Sequence, residues 1–258
     1  MTGRISVSAT TKTSNWAILI AALLVLTIVT ACGPKFEEMT AAQLHEYAQT
    51  KFAKRNFQDA VDAYEALIDL YPFSLYVTEA ELGIADAYYM KRRWIEAEAA
   101  YDSFATRHPN HDRIDHVYFR SGMSAYEQKL AIDRDQAATQ KSEADLSRVV
   151  SQYPDSQYFA EARLRLSEVR NDLAKRERYV AKHYWRNKEY YAAYKRYERV
   201  IRLFSDTDYY EESLYYGARC LIYLNEKDQA ERLLRQLLRQ NPEGKYADEA
   251  EDLLAKLG

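Results

Sequence analysis

The stretch "NFQDAVDAYEALIDLYP" (56–72) decides the fold, because its spacing recurs along the chain. A small residue, Ala60, is followed four positions later by a large one, Tyr64, and eight positions after that by Pro72. Three later stretches keep this spacing: Ala97, Tyr101 and Pro109; Ala230, Leu234 and Pro242; and Ala193 and Tyr197, with Ser205 in the place of proline. In each unit a further alanine stands twelve residues earlier: Ala48, Ala85, Ala181 and Ala218.

This period is typical of a tetratricopeptide (TPR) repeat, in which each unit is a helix pair. Small residues let two helices approach closely, and a large side chain one turn later fills the space beside them. Proline ends the second helix because it lacks an N–H. The sequence therefore predicts an all-α superhelical solenoid of about five TPR helix pairs, followed by a capping helix in "YADEAEDLLAKL" (246–257). The predicted pairs span 41–73, 78–110, 115–155, 158–205 and 209–243.

The segments "YPFSLY" (71–76) and "YPDSQY" (153–158) stand at predicted joints between repeats. A tyrosine recurs four residues after the proline position, and we expect its ring to plug the joint with the next helix pair. These tyrosines are Tyr76, Tyr158, Tyr209 and Tyr246. The third repeat, whose small residue is Gly122, is longer than the others. Its Pro154 comes eight residues late, which predicts a polar insertion near 131–138 between its helices.

The first 31 residues follow a different pattern from the repeats. Arg4 and Lys12 precede an apolar run, "WAILIAALLVLTIVTA" (16–31), and no acid occurs in this segment. These features are typical of a secretory signal peptide, although the run is also long enough for a single transmembrane anchor. We predict a lipoprotein signal peptide over residues 1–31.

The segment "VTAC" (29–32) resembles a bacterial lipobox. This resemblance implies that Cys32 becomes a lipidated N-terminus at the head of a tether (32–39), and that the protein is anchored by lipid in the outer membrane, facing the periplasm. Thr40 with Gln43 forms a capping box that predicts the start of the first helix. The predicted division is then N-terminal repeats one to three over residues 40–157, and repeats four and five with the capping helix over residues 158–258.

Composition and motifs disfavour an enzyme or a nucleic-acid-binding protein. The net charge of −3 argues against wholesale binding of nucleic acid, and the sequence lacks the common phosphate-loop, nucleophile and zinc-protease motifs. The cluster "HPNHDRIDH" (108–116) could hold zinc, but it falls in a polar turn between repeats. Cys220 lies in an apolar stretch and is expected in the core. The sequence predicts a non-enzymatic protein with no metal and no cofactor beyond the lipid on Cys32.

Two surfaces are candidates for binding. Residues 170–202 hold eleven bases and four acids, which favours a face for an acidic protein partner over a solvated face without one. The first helix of each pair lines the concave side of a TPR solenoid, so the first two repeats predict a groove for an extended peptide. The predicted groove residues are His45, Gln49, Phe52, Leu82, Asp86 and Tyr89.

The lipobox, the five helix pairs, "YPFSLY" (71–76), "DRDQ" (133–136) in the insertion and "YPDSQY" (153–158) together resemble the BamD family. These lipoproteins of the outer-membrane β-barrel assembly (BAM) machine are also called competence lipoproteins. The resemblance implies a scaffold whose C-terminal repeats dock on a POTRA domain of the barrel protein BamA. It implies N-terminal repeats that face unfolded outer-membrane proteins, and accessory lipoproteins as further partners.

Within "YAAYKRYE" (191–198), Arg196 matches a basic position that the family uses for POTRA docking, and Lys195 and Arg199 stand beside it. The resemblance therefore implies a POTRA-facing surface at these three residues. The alternative is a pilotin-type or cell-envelope TPR lipoprotein that serves pili or peptidoglycan coordination.

Overall fold

The computed structural model describes Gly3 and residues 35–257. Apart from Gly3, the predicted signal peptide lies outside the described residues, as do the predicted lipidation site Cys32 and the first part of the predicted tether. Over residues 35–257 the chain folds into eleven α-helices and one short 3-10 helix, Phe36–Glu38, without a β-strand.

The first ten helices form five pairs, and each helix packs chiefly against its neighbours along the chain. The pairs are α1 (Ala41–Ala53) with α2 (Phe57–Leu70), α3 (Val77–Met90) with α4 (Trp94–Arg107), α5 (Ile114–Glu127) with α6 (Ala137–Gln152), α7 (Phe159–Arg186) with α8 (Tyr190–Leu203), and α9 (Tyr210–Tyr223) with α10 (Lys227–Gln240). The last helix, α11 (Ala247–Leu257), packs on α10. The predicted all-α solenoid of TPR pairs with a capping helix is confirmed.

The small and large residues of the repeat are the points of closest packing between helices. The eight repeat alanines are fully buried: Ala48, Ala60, Ala85, Ala97, Ala181, Ala193, Ala218 and Ala230. The large residue one turn after the second alanine is also buried in each unit: Tyr64, Tyr101, Tyr197 and Leu234. The spacing read from the sequence is therefore the spacing of the core contacts.

The N-terminal end of the solenoid is fixed by two local interactions. Thr40 caps α1: the Gln43 amide donates to its hydroxyl, and its own amide donates to the Gln43 side chain at 2.8 Å, as the capping box predicts. The Tyr71 hydroxyl donates to the Met39 carbonyl at 2.7 Å, which ties the end of the tether to the first joint. No helix between residues 35 and 257 has the length and apolar character needed to cross a bilayer.

The joint tyrosines seal the repeats as predicted. Each stands just before a first helix and reaches back to the first helix of the preceding pair, three residues before its small residue, which is alanine or, in repeat three, Gly122. Tyr76 stacks on His45 with ring centroids 4.7 Å apart, Tyr158 on Phe119 at 4.7 Å, and Tyr246 on Tyr215 at 4.9 Å, while the Arg178 guanidinium lies over the Tyr209 ring at 5.5 Å. "YPFSLY" and "YPDSQY" are thus architectural elements of the joints.

The joint between repeats two and three differs from the others. Arg113 occupies the position where the other joints have tyrosine, and its guanidinium lies 3.4 Å from the Asp86 carboxylate of α3. This joint is therefore closed by an ion pair where the others use an aromatic ring.

Helix α7 is twice as long as the typical helix of this chain, with 28 residues, and the sequence interpretation did not single it out. Its N-terminal half packs against repeat three through Ala162 and Val169, which share a core with Phe119 and Leu146. Its C-terminal half carries Ala181 and pairs with α8. The extra turns therefore cover the repeat that the insertion between α5 and α6 lengthens.

The turns inside the repeats carry residues in the left-handed backbone region. Arg55, Arg92, Lys188 and Asn225, each two residues after a first helix, have φ between 57° and 64°. This conformation is costly for a residue with a Cβ and is the usual place for glycine after a helix.

Replacing Arg55 by glycine is expected to raise the free energy of unfolding by about 0.5 kcal/mol, since the strain it relieves exceeds the entropy that glycine adds to the unfolded chain. Urea unfolding measures this change. Lys54→Gly is the matched control, because Lys54 has φ −80° and gains nothing from glycine. A less stable Arg55→Gly variant would contradict the prediction.

Candidate peptide-binding and partner-docking sites

Five of the six predicted groove residues line one cavity between α1 and α3, of about 460 Å³. We call it the N-terminal pocket: His45, Gln49 and Phe52 from α1, and Leu82 and Asp86 from α3. Residues three or four apart share one face of a helix, which is why the two sets converge. The pocket lies on the side of the solenoid formed by the first helices, as the sequence predicts.

Two further residues, Tyr64 and Gly83, shape the pocket and were missed in the sequence. Both line it, and a Cβ on Gly83 would lie 2.5 Å from the Tyr64 ring, so glycine at this position makes room for the ring to pack against α3. Burial raises the pKa of Tyr64 to about 12, which keeps its hydroxyl protonated. The sequence did contain a signal for this contact, because Gly83 lies inside a predicted helix. Glycine destabilises a helix, so its presence there indicates that another group packs closely against the backbone.

The rim of the N-terminal pocket is polar. The imidazole of His45 stacks on Tyr76 and lies 2.9 Å from the Glu79 carboxylate. His111 and Arg113, from the segment before α5, complete the lining. An aromatic floor with polar groups at its edge suits an extended peptide that presents an apolar side chain.

Asp86 is the electrostatic centre of the N-terminal pocket. Its carboxylate accepts hydrogen bonds from the Tyr101 hydroxyl and from His116 Nε2, each at 2.6 Å, and also faces Arg113. Burial works to raise the pKa of Asp86, but the hydrogen bonds from His116 and Tyr101 outweigh it and hold that pKa below its ordinary value. Asp86 is therefore a fixed negative charge that joins α3, α4 and α5.

The sixth predicted groove residue, Tyr89, lies outside the N-terminal pocket. Its ring packs edge-on against Trp94 at 5.2 Å, and the Arg120 guanidinium lies over it at 4.5 Å. Arg120 occupies in repeat three the position that Gly83 occupies in repeat two. Its side chain fills the space beside Tyr89 that a glycine would leave empty. The ring is thus used in packing between repeats two and three.

A second cavity, of about 550 Å³, lies on the side of the second helices, between α6, α7 and α8. We call it the back pocket: its lining includes Arg134 of the insertion, Arg170 and Glu177 of α7, and Arg196 and Arg199 of α8. Glu177 is largely buried, and each of Arg196 and Arg199 lies 3.2 Å from its carboxylate. Because both guanidinium groups remain about half exposed, they can also bind acidic groups of a partner.

Lys195, the third residue of the implied POTRA-facing set, points elsewhere. It forms an ion pair with Glu198 and lines a separate shallow cavity with Tyr191 and Tyr194, between α8 and the region following α9. Lys195 is adjacent to Arg196 on α8, and adjacent residues on a helix do not face the same side. The structure brings Arg196 and Arg199 together and separates Lys195 from them.

Comparison with known proteins decides the family. The model of the YfiO family, which is described as an outer membrane lipoprotein, matches residues 37–233. The chain belongs to this family. The match runs from the 3-10 helix into α10, so the N-terminal pocket and the back pocket lie in the part of the chain shared with YfiO proteins.

Several relatives support this assignment. Outer membrane protein assembly factor BamD of Caulobacter vibrioides is 27% identical over 223 residues, which covers 84% of this chain and 73% of the relative. The protein of the same name from Neisseria meningitidis serogroup B is 30% identical over 188 residues, which covers 69% of this chain and 70% of the relative. That from Vibrio cholerae is 26% identical and is covered over 98% of its length. The resemblance to the BamD family is confirmed.

The histidines of segment 108–116 and Cys220, which were candidates for metal binding or catalysis, have structural roles in this YfiO-family chain. His108 lies 2.7 Å from Glu81, His111 packs edge-on against Phe104, and His116 bonds to Asp86. Within residues 35–257 no three His, Cys, Asp or Glu side chains are placed to hold a metal ion. Cys220 is buried, and burial raises the pKa of its thiol to about 12, so it is a core residue and not a nucleophile.

Proposed function

We propose that this protein is a non-enzymatic scaffold of the BAM complex, in which it docks on a BamA-like barrel protein and helps recruit and insert outer-membrane β-barrel proteins. The observation that carries the proposal is similarity over most of the chain to relatives that bear the name outer membrane protein assembly factor. The helical-repeat frame, with cavities on both of its sides, supports a role in binding.

The anchor in this proposal is a lipid on Cys32, which holds the protein on the periplasmic side of the outer membrane. The family description, outer membrane lipoprotein, supports it. Seven residues lead from Cys32 to Met39, which is tied to Tyr71 of the first joint. A chain of that length spans at most about 23 Å, so the first repeats would stay near the membrane surface while the later repeats extend away from it.

The docking surface in this proposal is the back pocket. Five arginines and three acids line it, and the side chains of Arg196 and Arg199 are 40% and 45% exposed. A positively charged, half-exposed cavity suits an acidic loop of a POTRA domain, since complementary charge speeds association and fixes orientation. The N-terminal pocket would receive segments of unfolded barrel proteins, for which its aromatic floor and polar rim are suited.

Reversing the charge of Arg196 tests the docking surface. The full chain is extracted in mild detergent, and the barrel protein with POTRA domains that co-purifies is quantified. Arg196→Glu should weaken this binding about tenfold or more, because it removes a positive charge and places a carboxylate beside Glu177. Helical content, measured by circular dichroism, should not change, since the Arg196 side chain is 40% exposed.

Lys227→Glu is the matched control, because Lys227 is an exposed base at the start of α10, outside the back pocket. It should leave co-purification intact. Recovery of no POTRA-containing barrel protein by the parent chain would contradict the proposed function, and recovery of pilus or peptidoglycan proteins would favour the alternative scaffold.

A further inference from the structure

A third cavity, of about 290 Å³, lies between α7 and α9 on the side of the first helices. We call it the C-terminal pocket. Three bases and four aromatic residues line it: Arg178, Lys182, Arg186, Tyr179, Trp185, Tyr197 and Tyr216. It is separate from the back pocket, which opens between the second helices, and shares no lining residue with it.

The C-terminal pocket occupies in repeats four and five the position that the N-terminal pocket occupies in repeats one and two. Aligning Ala181 with Ala48 and Ala218 with Ala85 places six of the seven residues that line the C-terminal pocket at positions that also line the N-terminal pocket. Arg178 corresponds to His45, Lys182 to Gln49, Trp185 to Phe52, Arg186 to Ala53, Tyr197 to Tyr64 and Tyr216 to Gly83. The chain therefore carries the same cavity frame twice.

An ion pair at the edge of both pockets follows the same correspondence. Glu212 stands at the position of Glu79, and its carboxylate lies 2.6 Å from Arg178, as that of Glu79 lies 2.9 Å from His45. The agreement extends to a buried tyrosine beneath each cavity, Tyr197 or Tyr64. The Tyr197 hydroxyl is buried and has no hydrogen-bond partner among the described residues.

The two pockets differ in charge. The N-terminal pocket has Gln49 and the fixed negative charge of Asp86, whereas the C-terminal pocket has Lys182. Arg219, at the position of Asp86, does not line the C-terminal pocket, but its guanidinium lies over the ring of Trp185, which does. Glu212 accepts from both Arg178 and Lys182. Arg186 and Arg219 form no ion pair within residues 35–257, so positive charge at this pocket is left without a compensating acid.

The apolar wall of the C-terminal pocket is a fixed aromatic surface. Trp185 packs edge-on against Tyr216 at 5.8 Å and Tyr223 at 5.6 Å, and the Arg219 guanidinium lies over its ring at 4.8 Å. Aromatic side chains held in this way offer apolar contact at little cost in conformational entropy. An apolar group beside a carboxylate matches both features of the cavity.

We propose that the C-terminal pocket is a second peptide-binding site, which takes an apolar or aromatic side chain against Trp185 and binds a neighbouring carboxylate through Lys182 and Arg186. The inference deepens the proposed function and rests on it for the nature of the ligand, an unfolded polypeptide. The carboxylate comes from an acidic side chain or from the C-terminus of the polypeptide. The two equivalent pockets then differ in specificity, and the second selects segments that the first does not favour.

Short synthetic peptides test this site, with binding to the full chain in mild detergent followed by fluorescence anisotropy. Three labelled peptides differ only at the end: Phe-Glu with an amidated C-terminus, Phe-Gln with an amidated C-terminus, and Phe with a free C-terminal carboxylate. The parent chain should bind at least one of the two carboxylate peptides about tenfold more tightly than the Phe-Gln peptide, because a charge-assisted hydrogen bond is gained. Comparison of the two carboxylate peptides tells which source the pocket prefers.

Lys182→Gln should reduce this preference to about threefold or less, because only Arg186 then remains to bind the carboxylate. Its fold should be retained, because Arg178 remains bound to Glu212. Lys175→Gln, an exposed lysine on the same helix outside the pocket, should keep the preference. Trp185→Ala should weaken binding of all three peptides.

Equal affinity of the parent chain for the three peptides would overturn the proposal, as would no measurable binding or an undiminished preference in Lys182→Gln. Gln49→Lys is an independent test, because it places a lysine at the position of the N-terminal pocket that corresponds to Lys182. The N-terminal pocket of this variant should then bind the carboxylate peptides more tightly than the Phe-Gln peptide. Failure to recover a POTRA-containing barrel protein would contradict the proposed function without changing these titrations, so the two failures are distinguishable.

Discussion

Replacing Asp86 by alanine should lower the free energy of unfolding by about 3 kcal/mol, because it removes one acceptor shared by several buried donors. The Tyr101 hydroxyl and His116 Nε2 each lie 2.6 Å from this carboxylate, and Tyr101 is fully buried. In the variant both donors would lose this acceptor. Urea unfolding followed by circular dichroism measures the loss.

The effect should be large because of where Asp86 stands. The joint between repeats two and three has Arg113 in place of a joint tyrosine, so its closure depends on the charges that meet at Asp86. His116 extends the contact further, since its Nδ1 lies 2.9 Å from the hydroxyl of Tyr158, the tyrosine of the next joint. One carboxylate therefore links three successive first helices.

The pH dependence of stability gives a second readout of the same variant. The pKa of Asp86 in the folded protein is lower than its ordinary value. Its stabilisation is therefore complete above the ordinary carboxyl pKa and is lost as the pH falls below about 4. The parent chain should lose stability on acidification more steeply than Asp86→Ala does.

Asp62→Ala is the matched control for Asp86→Ala, because Asp62 is exposed on α2 and, within residues 35–257, its carboxylate has a hydrogen bond only with Gln58. Its effect should stay within about 0.5 kcal/mol. A cost for Asp86→Ala as small as that of the control, or parallel acid titrations of parent and variant, would show that the joint does not depend on this carboxylate.

The fold could be predicted because the repeat places the same residue types at the same contacts. The packing roles of Ala60 and Tyr64 could be predicted from the sequence, because a small and a large side chain one turn apart are what close packing of two helices requires. The doubled length of α7 could not be predicted from the sequence. Residues 159–186 contain no proline or glycine, and nothing local marks where the turns that serve repeat three pass into those that serve repeat four.

The sites were predictable only in part, because they depend on contacts between distant residues. His45 and Gln49 could be placed on one face of α1 by spacing alone. Tyr89 satisfies the same spacing, yet Arg120 of another repeat covers it. The alignment of Ala48 with Ala181 could be made from the sequence, but only the structure shows that the aligned positions line two equivalent cavities.

Replacing Asp145 by alanine should have the largest effect on stability, about 4 kcal/mol, because it leaves a lysine without its buried partner. Asp145 of α6 is 2% exposed and lies 2.5 Å from Lys141 Nζ, and its other donor is the Ser121 hydroxyl of α5 at 2.7 Å. Burial works to lower the pKa of Lys141, but hydrogen bonds to Asp102 and Asp145 raise it, so the ammonium stays charged when one acceptor is removed. Urea unfolding measures the loss.

A double variant separates the ion pair from simple loss of packing around Asp145. In Asp145→Ala with Lys141→Leu the lysine charge is gone, and the Ser121 hydroxyl keeps Asp102, 3.1 Å away, as an acceptor. Because removing both partners of a buried pair costs far less than removing one, the double variant should recover about 1 kcal/mol or more relative to Asp145→Ala alone. Additive losses from the two substitutions, with Lys141→Leu also measured alone, would mean that Lys141 and Asp145 do not stabilise each other.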